Sequence, residues 1–165
     1  MKALIIYFTS LGRTKKTAEA IGNQLTNYEV DYFPFILTGS FGMKVSIQNQ
    51  HNKGDFSTIA KELSDLERIE QEYDLIILGM PTYGDYPPSA FYEIVKRLDI
   101  NGKNIVIFGT CSITGTKTME IMKKTVEEAG GLIVNQARFK GFFGPKLKAA
   151  TKFGQIVNDA LIKST

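Results

Sequence analysis

Six residues behind the first apolar run, Thr9, Ser10, Leu11, Gly12, Arg13 and Thr14, place hydroxyls, a glycine and a cation where strand character gives way to helical periodicity. The first backbone N–H groups of a helix have no intrahelical acceptor and lie at the positive end of the helix dipole. Ringed by hydroxyls, they form a nest for an anion, and phosphate suits it better than the single side chain of an ordinary N-cap does. A nucleotide-triphosphate loop needs Gly-Lys-Ser/Thr and a dinucleotide loop needs GxGxxG; neither follows this strand. A magnesium-dependent receiver would carry acids where Thr9 and Ser10 stand. A phosphatase loop of Cys, five residues and Arg fails because Lys117 stands six beyond Cys111. A phosphate held with no acid, metal or nucleophile beside it is an anchor, and no catalytic or metal-ligating residue is assigned.

Two further loops carry chemistry. In Pro81, Thr82, Tyr83, Gly84 and Asp85, followed by Tyr86 and two prolines, the tyrosines offer flat aromatic faces. Gly84 supplies the positive φ of a type II turn. Such a loop suits a planar ring, with a rigid surface turn as the plainer alternative. In GTCSITGTK, Thr110, Cys111, Ser112 and Gly115 are small enough for backbone amides to reach ring acceptors. Cys111 has no histidine near it in sequence, and the single histidine, His51, falls in a polar segment, so a packing or ring-edge role is expected for the thiol.

These loops must be brought together by the elements before them. Apolar runs at Ala3–Phe8, Leu75–Leu78 and Ile105–Phe108 show no alternation, as expected of strands buried on both faces. Between them lie helical faces: Ala18, Ile21, Gly22 and Leu25; Phe91, Ile94, Val95 and Leu98; Met119, Met122 and Val126; Phe153, Ile156, Val157, Ala160 and Leu161. Alternating strands and helices imply right-handed crossovers and a three-layer α/β sandwich. Glu29–Phe35, which contains Pro34, and the mixed stretch Leu132–Phe143 have edge character, giving a five-stranded parallel sheet of order 2-1-3-4-5. Its switch point, where ligands bind, lies between strands 1 and 3. From Leu37 to Tyr73 the first half is polar and reads as an exposed excursion. The second, with Ile59, Leu63 and Leu66, reads as a crossover helix capped by Asp55 or Ser57.

With 165 residues and 43% hydrophobic content, the chain closes one core, so residues 1–165 form one domain. No apolar run reaches spanning or signal-peptide length, giving the expectation of a cytoplasmic protein without a membrane segment. A single cysteine and a single histidine exclude an intramolecular disulfide and argue against zinc chemistry. The net charge of +3, with 20 basic residues scattered among 17 acids, gives little support to nucleic-acid binding.

The three loops on such a sheet resemble the flavodoxin family across nearly the whole chain. Thr9, Gly12 and Thr14 match the family's Ser/Thr-x-Thr-Gly-x-Thr loop for the 5′-phosphate of FMN; Leu11 replaces its middle Thr and Arg13 its frequent Asn. The resemblance implies that FMN is bound non-covalently, with Tyr83 stacked on the isoalloxazine and the Gly84–Asp85 peptide facing N5. In the family that peptide turns its carbonyl to the protonated N5 after one-electron reduction, stabilising the semiquinone. It also implies Thr110, Cys111 and Ser112 as donors to the pyrimidine edge, although the aromatic that many flavodoxins carry there is missing. The implied role is electron transfer between a donor reductase and an acceptor enzyme, by a monomer. The alternatives are an FMN-dependent NAD(P)H or quinone oxidoreductase and a flavin-free module for another phosphorylated ligand. Flavodoxin carriers are usually strongly acidic, whereas this chain is slightly basic.

Overall fold

The computed structural model describes residues 1–69, 73–142, 144 and 146–160. Strand β1, Lys2–Thr9, is buried at every residue after the first. Its alternation survives as a division between two cores: Leu4, Ile6 and Phe8 enter one, and Ala3, Ile5 and Tyr7 the other. β3, Leu75–Pro81, and β4, Asn104–Cys111, divide likewise, with Ile76, Leu78, Ile105 and Ile107 on the first side and Ile77, Val106 and Phe108 on the second. Burial on both faces explains why these runs show no polar alternation.

β2, Glu29–Ile36, and β5, Leu132–Lys140, complete a parallel sheet of order β2-β1-β3-β4-β5, as expected. Both edge strands are largely solvent-facing, and Pro34 sits opposite Tyr7 on an edge where its missing N–H is harmless. A register shift beside Ile105 and Val106 leaves Val134 as an extra residue of β5. Phe143, the expected end of that strand, lies outside the described residues.

Helices α1, Arg13–Gly22, and α6, Leu147–Ala160, cover one face; Ala18 and Ile21 of α1 and Ala150, Phe153 and Val157 of α6 supply its core. Leu161, expected on the α6 face, lies outside the described residues. The other face is covered by α3, Ala60–Glu67, α4, Ala90–Arg97, and α5, Thr116–Glu128, through Leu63, Leu66, Phe91, Ile94, Val95, Met122 and Val126. A single 3-10 turn at Ser57–Ile59 precedes α3, and Asp55 accepts from Ser57 N–H at 3.0 Å.

The excursion expected after β2 is instead helix α2, Phe41–Asn52, whose N-cap Ser40 accepts from Met43 N–H at 3.3 Å. Only Ile47 and His51 turn substantially toward the first core, too few apolar positions to print a stripe on the sequence. His51 is 1% exposed, held by Thr58 Oγ1 at 2.8 Å and packed against Phe8 and Phe56. Among the described residues, no helix is long and apolar enough to cross a membrane.

Candidate functional site

A parallel sheet delivers the ends of β1, β3 and β4 to one edge, and there the three loops close on a cavity of about 130 Å³. Eleven of the sequence candidates line it: Thr9, Ser10, Leu11, Arg13, Thr14, Pro81, Thr82, Tyr83, Thr110, Cys111 and Ser112. Gly12, Gly84, Asp85 and Gly115 do not.

The first loop is organised by Gly12, whose φ of +79° places it in the left-handed region just before α1. A left-handed residue followed by right-handed helix turns successive N–H groups into one concavity. Thr9 Oγ1 accepts from Gly12 N–H at 3.1 Å and Lys16 N–H returns to Gly12 O, leaving the helix's first N–H groups for a ligand. The hydroxyls are more committed than the sequence suggests. Thr14, 1% exposed, shares a 2.8 Å bond with Thr110 on β4. Two hydroxyls hold two protons and this bond uses one, so the pair keeps one donor for the cavity. Arg13 Nη1 donates to Ser112 Oγ at 3.0 Å and to Gly141 O at 3.5 Å, and Nη2 donates to Phe142 O at 3.1 Å. The cation thereby ties the first loop to the third and to the end of β5.

In the second loop the observed turn is not the type II turn expected. Gly84 and Asp85 both have positive φ, +56° and +69°. Tyr83 and Tyr86 exchange both backbone bonds, at 2.8 and 3.0 Å. Positive φ at both central residues makes this a type I′ hairpin turn, whose twist suits such pairing, whereas a type II turn has positive φ only at its second central residue. Asp tolerates this region better than most side chains but remains off its preferred backbone. Tyr83 Oη donates to Ser10 Oγ at 3.1 Å, so the tyrosine spans from the second loop to the first. Burial pushes its phenol up, with the Ser10 bond acting in the opposite direction. Tyr86 lies beneath Lys117, whose Nζ is 4.3 Å from the ring centre.

Burial likewise raises the Cys111 thiol, and its Sγ packs 4.0 Å from Phe139 O. A thiol so placed is a wall of the cavity and a poor nucleophile. Gly115 stands behind that wall, since a Cβ there would meet Cys111 Sγ at 3.1 Å.

Sequence reasoning missed Phe139 and Gly141 of the cavity lining, which come from the strand of weakest pattern and the residue just after it, and everything contributed by α2. Leu11, Leu37, Phe41, Val45 and Tyr83 line a second, mostly apolar groove of about 280 Å³ beside the cavity. Lys44 Nζ donates to Ser10 O at 2.7 Å, fastening α2 to the first loop. A cap signal at Ser40 existed; nothing in the sequence marked Lys44.

No protein-family model matches the sequence. The solved structures it resembles include oxidised flavodoxin 2 from Bacillus cereus, with a TM-score of 0.63 and 20% identity over 100% of both chains. Oxidised flavodoxin 1 from the same organism superposes with a TM-score of 0.61 and 23% identity, over 96% of this chain and 99% of that one. The fold is flavodoxin-like. A flavoprotein from Lactobacillus acidophilus, solved in complex with FMN, shares the flavodoxin-like fold with a TM-score of 0.58 and 18% identity, over 83% of this chain and 92% of that one.

Two polar atoms test whether the residues suit a flavin. Thr82 Oγ1, in the cavity lining, and Asp85 Oδ1, in the adjoining turn, are buried without a hydrogen-bond partner among the described residues. Buried polar atoms without partners are costly and mark places where a ligand or water completes the structure. A donor set of amides, hydroxyls and one guanidinium beside an aromatic face fits FMN.

Proposed function

We propose that this chain is an FMN-binding electron carrier. The observation that carries the reading is the juxtaposition, in one cavity at the switch point, of a left-handed glycine nest on α1 with Tyr83 and the Thr110–Ser112 backbone. In this reading the α1 N–H groups, the spare Thr14/Thr110 proton and Arg13 hold the phosphate, and the third loop donates to the ring edge. Tyr83, braced by Ser10, offers its face to the ring. When bound, FMN supplies one- and two-electron chemistry.

The chain's own contribution to that chemistry is the Gly84–Asp85 peptide. Rotating it by half a turn converts type I′ to type II′, keeping Gly84 at positive φ while returning Asp85 to negative φ. The two Tyr83–Tyr86 bonds bracket the peptide and survive the rotation. The turn can therefore reverse one carbonyl at little cost, relieving Asp85 as it does so.

A second reading is favoured by the apolar groove beside Tyr83 and by the absence of an aromatic in the third loop: an FMN-dependent reductase of quinones. Reconstitution followed by gel filtration and anaerobic mixing with NADPH and menadione separates the two. A carrier keeps its flavin band through the column and shows no sustained turnover without another protein. Rapid multiple turnovers identify the reductase, and loss of the flavin band refutes both.

A further inference from the structure

The helices that start at the cavity edge carry the wrong charges for their own stability. α1 opens with Arg13, Lys15 and Lys16, α2 has Lys44, α5 has Lys117 and α6 has Lys148; none has an acid in its first turn. Cations belong at helix C-termini, where they oppose the dipole; at N-termini they oppose the helix itself. α5 repeats the inversion at its far end, with Glu127 and Glu128 and no base in the last turn. At the starts of α1, α2, α5 and α6 side-chain charge and helix dipole therefore add, making that part of the cavity edge positive. The exceptions are α3, with Glu62 in its first turn, and α4, whose first-turn Glu93 is committed to Arg97 at 3.6 Å.

Neutralisation does not remove this field. Among the described residues, the ion pairs run along or between helices: Lys15–Glu19, Lys61–Asp65, Arg97–Glu67, Arg97–Glu93, Lys123–Glu127 and Lys124–Glu128. Lys16, Lys44, Lys117, Lys140 and Lys148 pair with no carboxylate there. Among these cations stand large apolar side chains open to solvent: Leu11 at 69%, Ile113 at 65% and Phe41 at 78% exposure.

We infer that the cavity edge docks a protein partner whose own redox face is acidic, with apolar side chains at its centre. This rests on the carrier reading and gives the carrier a partner of opposite sign to one that suits an acidic carrier. Positive potential raises the encounter rate with an acidic face, while the apolar residues bury against the partner's centre once docked. A nucleic acid would use the same cations but would leave Leu11, Ile113 and Phe41 in water, so a protein is favoured.

The test uses the FMN-reconstituted full chain, photoreduced and mixed in stopped flow with soluble cytochrome b5, an acidic haem protein, or cytochrome c, a basic one. The rate to cytochrome b5 should fall at least about tenfold between 10 and 500 mM salt, while the rate to cytochrome c rises or stays level. Lys16→Glu, Lys140→Glu and Lys148→Glu together should slow cytochrome b5 reduction at low salt at least about tenfold. The same triple variant should melt no lower than the parent, because two of its changes now suit a helix N-terminus. Haem-band difference titration of the flavin-free chain with cytochrome b5 at 10 mM salt reads docking even if FMN does not bind, which keeps the two failures apart. The inference is overturned if cytochrome b5 reduction is indifferent to salt or to the triple variant. It is overturned equally if flavin-free chain and cytochrome b5 do not associate, or if a labelled single-stranded RNA 20-mer binds more tightly than cytochrome b5 at 150 mM salt.

Discussion

The first and second loops of the cavity contain similar residues and solve opposite problems. In the first, nearly every hydroxyl is tied within the protein: Thr9 to Gly12, Ser10 to Tyr83 and Thr14 to Thr110. What remains for a ligand is backbone N–H, one spare proton and a cation braced by carbonyls. In the second, Thr82 Oγ1 and Asp85 Oδ1 are buried without partners among the described residues, and Asp85 holds positive φ. Polar groups satisfied in advance give a fixed anchor, whereas unsatisfied ones and backbone strain give a segment poised to change.

The same substitution in each loop should separate the two roles. Gly12→Val forces a β-branched residue to φ +79° and so distorts the backbone that aims the nest's N–H groups, and FMN affinity should fall by about 1 to 3 kcal/mol in a fluorescence titration. Gly84→Val meets similar strain at φ +56°, and at neither glycine does a heavy atom lie within 4 Å of the added Cβ, so the two changes differ only in which loop's backbone they distort. FMN affinity should then change little, while the two one-electron potentials move together and the semiquinone yield falls in a potentiometric titration, because a type II′ turn favours Gly at that position. Affinity lost equally in both variants would erase the distinction between anchor and hinge.

Smaller effects sharpen it. Thr110→Val leaves the Thr14 hydroxyl, 1% exposed, without its protein partner and should lower stability by about 1 to 3 kcal/mol in urea. Tyr83→Phe removes only the bond to Ser10, worth about 0.5 to 1.5 kcal/mol, and should loosen the tie between the loops without abolishing ring binding.

Much of this was legible in the sequence because sheet burial leaves a blunt signature. β1, β3 and β4 had to be central, since no other placement buries runs with apolar residues at successive positions, and edge character in β2 followed from Pro34. The loops were found because they follow those strands. What escaped notice depends on contacts distant in sequence. Thr14 looked like a free phosphate ligand, although its partner Thr110 stands 96 positions away. The type I′ turn depends on Tyr83 pairing with Tyr86, which composition alone does not distinguish from a type II turn. α2 was hidden because it buries so little that its sequence looks like a loop.

His51 at the end of α2 gives the smallest expected effect. Burial holds its pKa below the ordinary 6.5, so the unfolded chain binds the proton more tightly. Its contribution is present in full above about pH 6.5 and is lost as the pH falls from there through the lower folded-state value. Replacing His51 with Phe should flatten that part of the stability profile, measured by urea midpoints between pH 5 and 7.5.

The central claim is that the α1 nest holds a flavin phosphate while the ring lies beside Tyr83. The direct measurement compares FMN with riboflavin, which lacks the phosphate, by fluorescence quenching on the same protein. FMN should bind at least about tenfold more tightly, the least expected of a charge-assisted hydrogen bond made only by the phosphate. Equal affinity for the two flavins, or no quenching by either, would contradict the account.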